Sequence, residues 1–205
     1  NITFNNLAPL STYLGKPGEP SKGGLSFEEY MTRQEQHRVA EIASLLDTDR
    51  FARRSLTLYG YPNFVCDSGG SICEVVDPDD PEDEVLKALE ATTLMVWIKG
   101  DDAHTEQLVR RFDRAPKPMY YEPTFLRQAW QDYLASNDLL PDAVDPDAFV
   151  RWTYARALAH RQPRYAAMAK RGVTVLADEI AAVKTAEDFE TLIADALARR
   201  VPDIN

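Results

Sequence analysis

The 205 residues are enough to bury one core, and a hydrophobic content of 44% is ordinary for a globular domain. The formal net charge of −10 argues against a broad nucleic-acid interface, since a phosphate backbone requires clustered lysine and arginine. No apolar run is long enough to cross a bilayer, so the sequence predicts neither nucleic acid nor a membrane as a partner.

The first part of the chain is rich in proline, glycine and asparagine, which is typical of exposed loops. It shows neither an initiator methionine nor a signal-peptide pattern, so we expect the chain to begin inside a larger cytoplasmic protein. We predict an opening segment and loop over residues 1–25. A single α/β domain is predicted over residues 26–205, with a helical insertion around residues 122–171.

Helix-capping patterns predict most of the helices. Ser26, with Glu29 three positions later, has capping-box spacing, which predicts a long helix to about residue 47. Asp80 before Pro81 predicts a helix start, and that helix runs to about residue 91. Further helices are predicted up to residue 60, at 103–112 and 123–136, from residue 145, at 163–172 and after residue 185.

Three short apolar runs predict β-strands at residues 63–67, 92–98 and 172–177. They lack polar alternation, which favours strands covered on both faces, as in a parallel sheet. Helical segments separate the three runs, so the predicted fold is α/β, a parallel sheet with crossover helices. Because three strands make a narrow sheet, we expect one more strand from upstream of Asn1 or from residues 2–4.

Ligands of open parallel sheets collect at the carboxyl ends of the strands. Asp67 follows the first predicted strand, residues 99–101 follow the second, and Asp178 follows the third. An acid at the end of an apolar strand is a candidate magnesium ligand beside nucleotide phosphates. Small residues after Asp67 would let backbone amides approach an anion, and these are Ser68, Gly69, Gly70 and Ser71. The alternative is that Asp67 caps a turn.

Arginines are concentrated in two segments of this acidic chain. Arg110, Arg111 and Arg114 follow the second predicted strand by one helix, where a kinase lid would neutralise a transferring phosphoryl group. The alternative is a solvated helix face, with Arg110 paired to Glu106. Arg161 and Arg164 could bind an anion from a helix start, or brace a helix junction through carboxylates.

The remaining candidate ligands show no metal-site pattern. The three histidines, His37, His104 and His160, are far apart, and surface or helix-capping roles are expected for them. The two cysteines, Cys66 and Cys73, are too few for a zinc framework, so we expect reduced, buried thiols.

Four segments together resemble a family of bacterial proteins described as ATPases, and the resemblance covers nearly the whole chain: residues 15–18, 64–74, 109–118 and 160–165. It implies a kinase-like P-loop NTPase fold with ATP and Mg²⁺ as cofactors, Asp67 as the magnesium-side acid, and lid arginines at positions 110, 111 and 114. In that family a loop ending in Gly-Lys-Thr lies upstream of the region matching Asn1. This sequence has no such loop, because Pro17 follows Lys16 where the motif requires serine or threonine.

The leading functional hypothesis is therefore a nucleotide-binding ATPase or small-molecule kinase-like domain. Its partner would be a nucleotide or a small phosphorylated molecule, and these residues alone are expected to be inactive. The alternative is a non-catalytic interaction or regulatory domain of the same fold. An exposed sheet edge would also allow homo-oligomers to form.

Overall fold

The computed structural model describes residues 13–200, which form nine α-helices and two β-strands in that part of the chain. The predicted extra strand at residues 2–4 lies outside the described residues. In chain order the elements are α1 (Phe27–Leu46), α2 (Thr48–Tyr59), α3 (Ile72–Val75), α4 (Glu84–Glu90), β1 (Val96–Lys99), α5 (Asp102–Arg114), α6 (Pro123–Asn137), α7 (Pro146–Ala169), β2 (Val173–Leu176), α8 (Ala177–Ala182) and α9 (Ala186–Arg199).

The two strands form a parallel sheet, in which Val96 pairs with Val173 and Lys99 with Leu176. Helices α5, α6 and α7 make the connection between them, so the expected combination of a parallel sheet with crossover helices is confirmed. Strand β2 lies within the segment predicted at 172–177, and β1 overlaps the segment predicted at 92–98 and ends one residue beyond it. The sheet is small, and helices dominate the described residues.

The strand predicted over residues 63–67 does not form. Its apolar side chains are exposed, Val65 at 80% and Phe64 at 41%. An apolar run becomes a strand only when a neighbouring strand accepts and donates its backbone hydrogen bonds, and none does so within residues 13–200. Apolar composition alone therefore overpredicted the sheet.

Capping side chains set where several helices begin. Ser26 Oγ accepts from the Glu29 amide at 3.2 Å and begins α1 as predicted. The helix predicted to begin at Asp80 begins instead at Glu84, because Asp83 Oδ1 accepts from the Leu86 amide at 2.8 Å. The two helices predicted from residue 145 and over 163–172 are one helix, α7, with Pro163 inside it.

Within residues 13–200, three clusters of buried side chains form the core. The largest joins α1, α6 and α7, and Phe27 stacks on Trp130 there at 4.8 Å between ring centroids. A second packs α3 and α4 against Met168 near the end of α7. The third covers one face of β2 with α9. The carboxyl ends of the two strands lie beside this third cluster and face α5 and α8.

Candidate functional site

An open groove of about 580 Å³ lies where the two parallel strands end. The ends of the strands contribute Ile98, Gly100 and Ala177, and the other wall is helix α5. From α5 come His104, Gln107, Leu108, Arg110, Arg111 and Arg114. The carboxyl edge of a parallel sheet is where such folds bind ligands, so this groove is the candidate functional site.

Helix α5 presents these side chains because of their spacing. His104, Gln107, Arg111 and Arg114 follow one another at three or four residues, which places them on one helical face. On another face Phe112 is buried and stacks on Tyr154 at 3.9 Å between ring centroids, which fixes the rotation of the helix. The predicted helix at 103–112 is thus confirmed within two residues at each end.

The three arginines differ in how their charge is compensated. Arg110 donates from Nη2 to Glu106 Oε2 at 2.8 Å, which is the pairing expected for a solvated helix face. Arg111 and Arg114 are exposed and form no ion pair with any residue between positions 13 and 200. The groove therefore presents two guanidinium groups whose donors are available to an anion.

His104 lies at the start of the same helix. Asp101 Oδ1 accepts from the His104 amide at 2.8 Å and lies 2.7 Å from Nδ1 of the ring, so the helix-capping role expected for a histidine is confirmed here. The pKa of Asp101 is lowered by the His104 backbone amide and further by the His104 side chain. Across the groove, His104 Nε2 lies 3.8 Å from Asp178 Oδ1.

The sequence pattern therefore placed Gly100, Asp101 and Asp178 at the ends of strands. It also singled out Arg110, Arg111 and Arg114 as candidate site residues. It did not assign His104 to the groove. The available signal was its position three residues after Asp101, which turns the ring toward the end of the strand.

Asp67 lies away from this groove, in the loop before α3. It is exposed, and its Oδ1 accepts from the Gly69 amide at 3.0 Å, which is the turn-capping alternative. Between residues 13 and 200, no hydrogen bond or ion pair connects Asp67 to the arginines of α5. The expected strand end at Asp67 is corrected by this placement, because residues 63–67 form no strand.

Two of the small residues after Asp67 are hydrogen-bonded to other side chains of the protein. Ser71 Oγ donates to Glu41 Oε1 at 2.8 Å, and the Gly70 carbonyl accepts from the Tyr165 hydroxyl at 2.7 Å. The described part of the chain contains no group of three His, Cys, Asp or Glu side chains that could hold a metal ion. Asp67 offers a single exposed carboxylate in this loop.

Arg161 and Arg164 also point to the segment around α3 and not to the groove. Arg161 is buried and binds both carboxylate oxygens of Glu74, and Arg164 donates to the carbonyls of Cys73 and Val76 at 2.5 Å and 2.8 Å. Of the two roles considered for them, the bracing of a helix junction is the one the geometry displays. Glu74 was not singled out by the sequence pattern, since its partner is distant along the chain.

Only one of the two cysteines is buried as expected. Cys73 is buried, and burial raises the pKa of its thiol to about 11. Cys66 is exposed, because the segment that carries it is not covered by a strand.

The helices between residues 13 and 200 include none that is long and apolar enough to cross a membrane. Comparison with family models, with curated proteins and with solved structures gave no match.

Proposed function

We propose that the groove at the carboxyl ends of β1 and β2 binds a phosphate group of a nucleotide or a small phosphorylated molecule. The supporting observation is that Arg110, Arg111 and Arg114 lie together along one groove at this edge of a parallel sheet. The activity to which such binding would belong is that of an ATPase or a small-molecule kinase-like domain.

Charge supports an anion as the ligand. Guanidinium groups bind phosphate oxygens through paired, charge-assisted hydrogen bonds, and Arg111 and Arg114 have these donors free of ion pairs within the described residues. The chain as a whole carries a formal charge of −10, so a small anion is repelled by most of the surface. A local group of arginines is therefore the favoured place for it.

The sequence contains no Gly-x-x-x-x-Gly-Lys-Ser/Thr loop, so we expect binding but no turnover from these 205 residues. The experiment is therefore a binding measurement. Calorimetry with ATP, ADP and pyrophosphate would compare the wild-type chain with Arg111→Gln/Arg114→Gln. We expect affinity to fall by about tenfold or more, since a hydrogen bond to a charged group contributes about 1.5–3 kcal/mol.

The matched control is Arg53→Gln/Arg54→Gln, which removes the same charge from the exposed surface of α2. Its affinity should stay within about twofold of wild type, because α2 does not line the groove. Absence of heat with every phosphate compound, or an equal loss in both double variants, would refute the groove as a phosphate site.

The proposed role of Asp67 as the magnesium-side acid has a separate test. ATP affinity is measured with and without Mg²⁺ in wild type and Asp67→Asn. If Asp67 holds the ion, the gain in affinity from Mg²⁺ disappears in the variant. A gain that is the same in both proteins would refute the magnesium role of Asp67 and leave the proposal for the arginine groove intact.

The second candidate is a non-catalytic interaction or regulatory domain that associates with a second copy of itself. It is favoured by exposed apolar side chains at the end of α2 and just beyond it, where Leu58 is 61% exposed, Tyr59 68% and Val65 80%. Sedimentation should then show a dimer that dissociates in Leu58→Ser/Tyr59→Ser. A monomeric profile at high concentration would remove this candidate.

A further inference from the structure

His104 contacts the groove through the ring nitrogen that its capping contact leaves unused. We propose that His104 is a further ligand-binding residue, whose protonated Nε2 donates a hydrogen bond to a dianionic phosphate; this inference rests on the proposed phosphate site. The ligand class is then a terminal phosphate or another tetrahedral dianion. Arg111 lies two helical turns farther along the same face and is the arginine proposed to bind another of its oxygens.

The ring is held in place on one side. Its Nδ1 lies 2.7 Å from Asp101 Oδ1, and its Cβ would be 3.0 Å from a side chain added at Gly100, so the ring stands close against the end of β1. The Asp101 backbone amide also lies 3.5 Å from Nδ1, at the limit of hydrogen-bond range, whereas the carboxylate is much closer. Because a lone pair 2.7 Å from a carboxylate oxygen would be repelled, we assign the proton of the neutral ring to Nδ1. Nε2 of the neutral ring is then a lone pair and cannot donate to an anion. Only the protonated ring donates from both nitrogens.

Nε2 has no hydrogen-bond partner in the part of the chain that the structure describes. Asp178 Oδ1 is 3.8 Å away, beyond hydrogen-bond range. The Asp178 side chain is 89% exposed, so it can move aside when a ligand enters. A ligand oxygen in the groove would therefore give the protonated Nε2 an acceptor that the described residues do not provide.

The charges around the ring determine the sign of the pH effect. Asp101 and Asp178 face it from α5 and α8. The Lys99 ammonium lies over the Trp97 ring at 5.6 Å, and Glu179 binds Arg199 and the Leu176 amide. With a neutral ring, an incoming anion meets two carboxylates at this end of the groove, and the nearest groove arginines, Arg110 and Arg111, lie six and seven residues farther along the chain. Protonation adds a positive charge and a donor, so anion binding takes up a proton and weakens as pH rises.

A capping role alone predicts something different. Capping uses the His104 amide and Nδ1, and neither requires the ring to be charged. If capping were the whole role, the variant His104→Gln would change stability and leave the pH dependence of anion binding unaltered. The pH profile therefore separates a ligand-binding histidine from a structural one.

Inorganic sulfate is the probe, because it stays dianionic where phosphate itself titrates. Since histidine changes charge between about pH 5 and 8, wild-type affinity for sulfate should fall by about tenfold between about pH 5.5 and about pH 8.5. His104→Gln should bind weakly and equally at both values. Asp178→Asn should bind more tightly at both, and His37→Gln, a histidine outside the groove, should behave as wild type.

A second measurement uses the wild-type chain alone, in case a variant folds poorly. The ring protons of His104 are followed by NMR through a pH titration with and without saturating sulfate. Sulfate should move the midpoint upward, because binding and protonation are linked. An unmoved midpoint, or the same sulfate pH profile in His104→Gln as in wild type, overturns the inference. Failure of the wild-type chain to bind sulfate at any pH instead refutes the phosphate site itself.

Discussion

Arg161 and Glu74 form a buried, two-armed ion pair that joins α7 to α3. Arg161 Nε donates to Glu74 Oε1 at 2.9 Å, and Nη2 donates to Oε2 at 2.7 Å. Nη2 also donates to the Tyr120 carbonyl at 3.1 Å. The side chains are 4% and 0% exposed, so neither charge is compensated by water. Each therefore depends on the other for its hydrogen bonds.

The pKa values of the pair show two opposing effects. Burial raises the pKa of Glu74, and the Arg161 guanidinium opposes this without cancelling it. Burial is the largest single effect on the pKa of Arg161 and acts to lower it, but the hydrogen bonds to Glu74 and the negative charge of Glu74 together raise that pKa. Desolvation is thus a real cost to the carboxylate, which means that the pair holds the junction together without being a large net source of stability.

Removing one partner should be far worse than removing both. Glu74→Ala leaves a buried guanidinium unpaired, and we expect a loss of about 3–5 kcal/mol in the free energy of unfolding. The double variant Glu74→Met/Arg161→Met replaces both charges with apolar volume and should lose less than Glu74→Ala. Urea denaturation followed by circular dichroism compares both variants with wild type.

The control breaks an exposed pair. Arg53→Ala removes the contact with Asp49 on the surface of α2 and should cost less than about 1 kcal/mol. If Glu74→Ala were as mild as this control, the ion pair would not hold the junction between α3 and α7.

The features that the sequence predicted correctly are local ones. Patterns of residues a few positions apart predicted the cap at Ser26, helix α5 and strand β2. The structure contains all three. Helical spacing also places Arg111 and Arg114 on one face of α5, where they line the groove; their proposed role stays a prediction.

The features that it missed depend on distant partners. Arg161 is 87 residues from Glu74, and no short pattern reveals that pairing. The run at 63–67 has strand composition, but a strand needs a neighbour whose presence composition does not report. A proline predicts a helix boundary from local geometry, whereas Pro163 lies inside α7, between two arginines that contact α3.

The register of β1 and β2 depends on the absence of a side chain at Gly172. The backbone at Gly172 lies so close to the residue before β1 that a Cβ added at Gly172 would be 2.1 Å from the Met95 carbonyl oxygen. Gly172→Ala must therefore shift the strand, and we expect a loss of about 1–3 kcal/mol in thermal or urea unfolding. Gly100→Ala is the comparison, because its nearest contact is the His104 Cβ at 3.0 Å and should cost less. Equal losses would contradict this account of the register.

The two thiols should differ sharply in reactivity. Burial raises the pKa of Cys73 to about 11, so at neutral pH the thiolate that reacts with Ellman's reagent is almost absent. Cys66 is exposed and should react at once. We expect one reactive thiol in the native chain and two in denaturant, with Cys66→Ser abolishing the native reaction. Rapid reaction of both thiols in the native state would contradict the burial of Cys73.

The same shift predicts a loss of stability in alkali. The folded pKa of Cys73, about 11, lies above the ordinary value of 9.0, so the unfolded chain releases this proton first as pH rises. The stability linked to the protonated thiol is complete below about pH 9 and is lost toward pH 11, by up to about 2–3 kcal/mol. Because buried tyrosines also titrate there, the measurement is the difference between wild type and Cys73→Ala. A difference that stays constant with pH would contradict it.

Pro163 should destabilise α7, because it lies at an exposed position inside the helix. The residue is exposed, lies inside a helix that runs from Pro146 to Ala169, and has no amide to donate to the Ala159 carbonyl. Pro163→Ala restores that hydrogen bond and removes the clash of the ring with the preceding turn. We expect an increase of about 1–3 kcal/mol in the free energy of unfolding.

Pro123 provides the contrast, because it begins α6 at a position where a missing amide costs nothing. Pro123→Ala should therefore leave stability unchanged or lower it slightly, through greater freedom in the unfolded chain. Thermal unfolding of both variants against wild type decides the point. If Pro163→Ala is no more stable than wild type, the proline is accommodated by bending α7, and the contacts of Arg161 and Arg164 with α3 then depend on that bend.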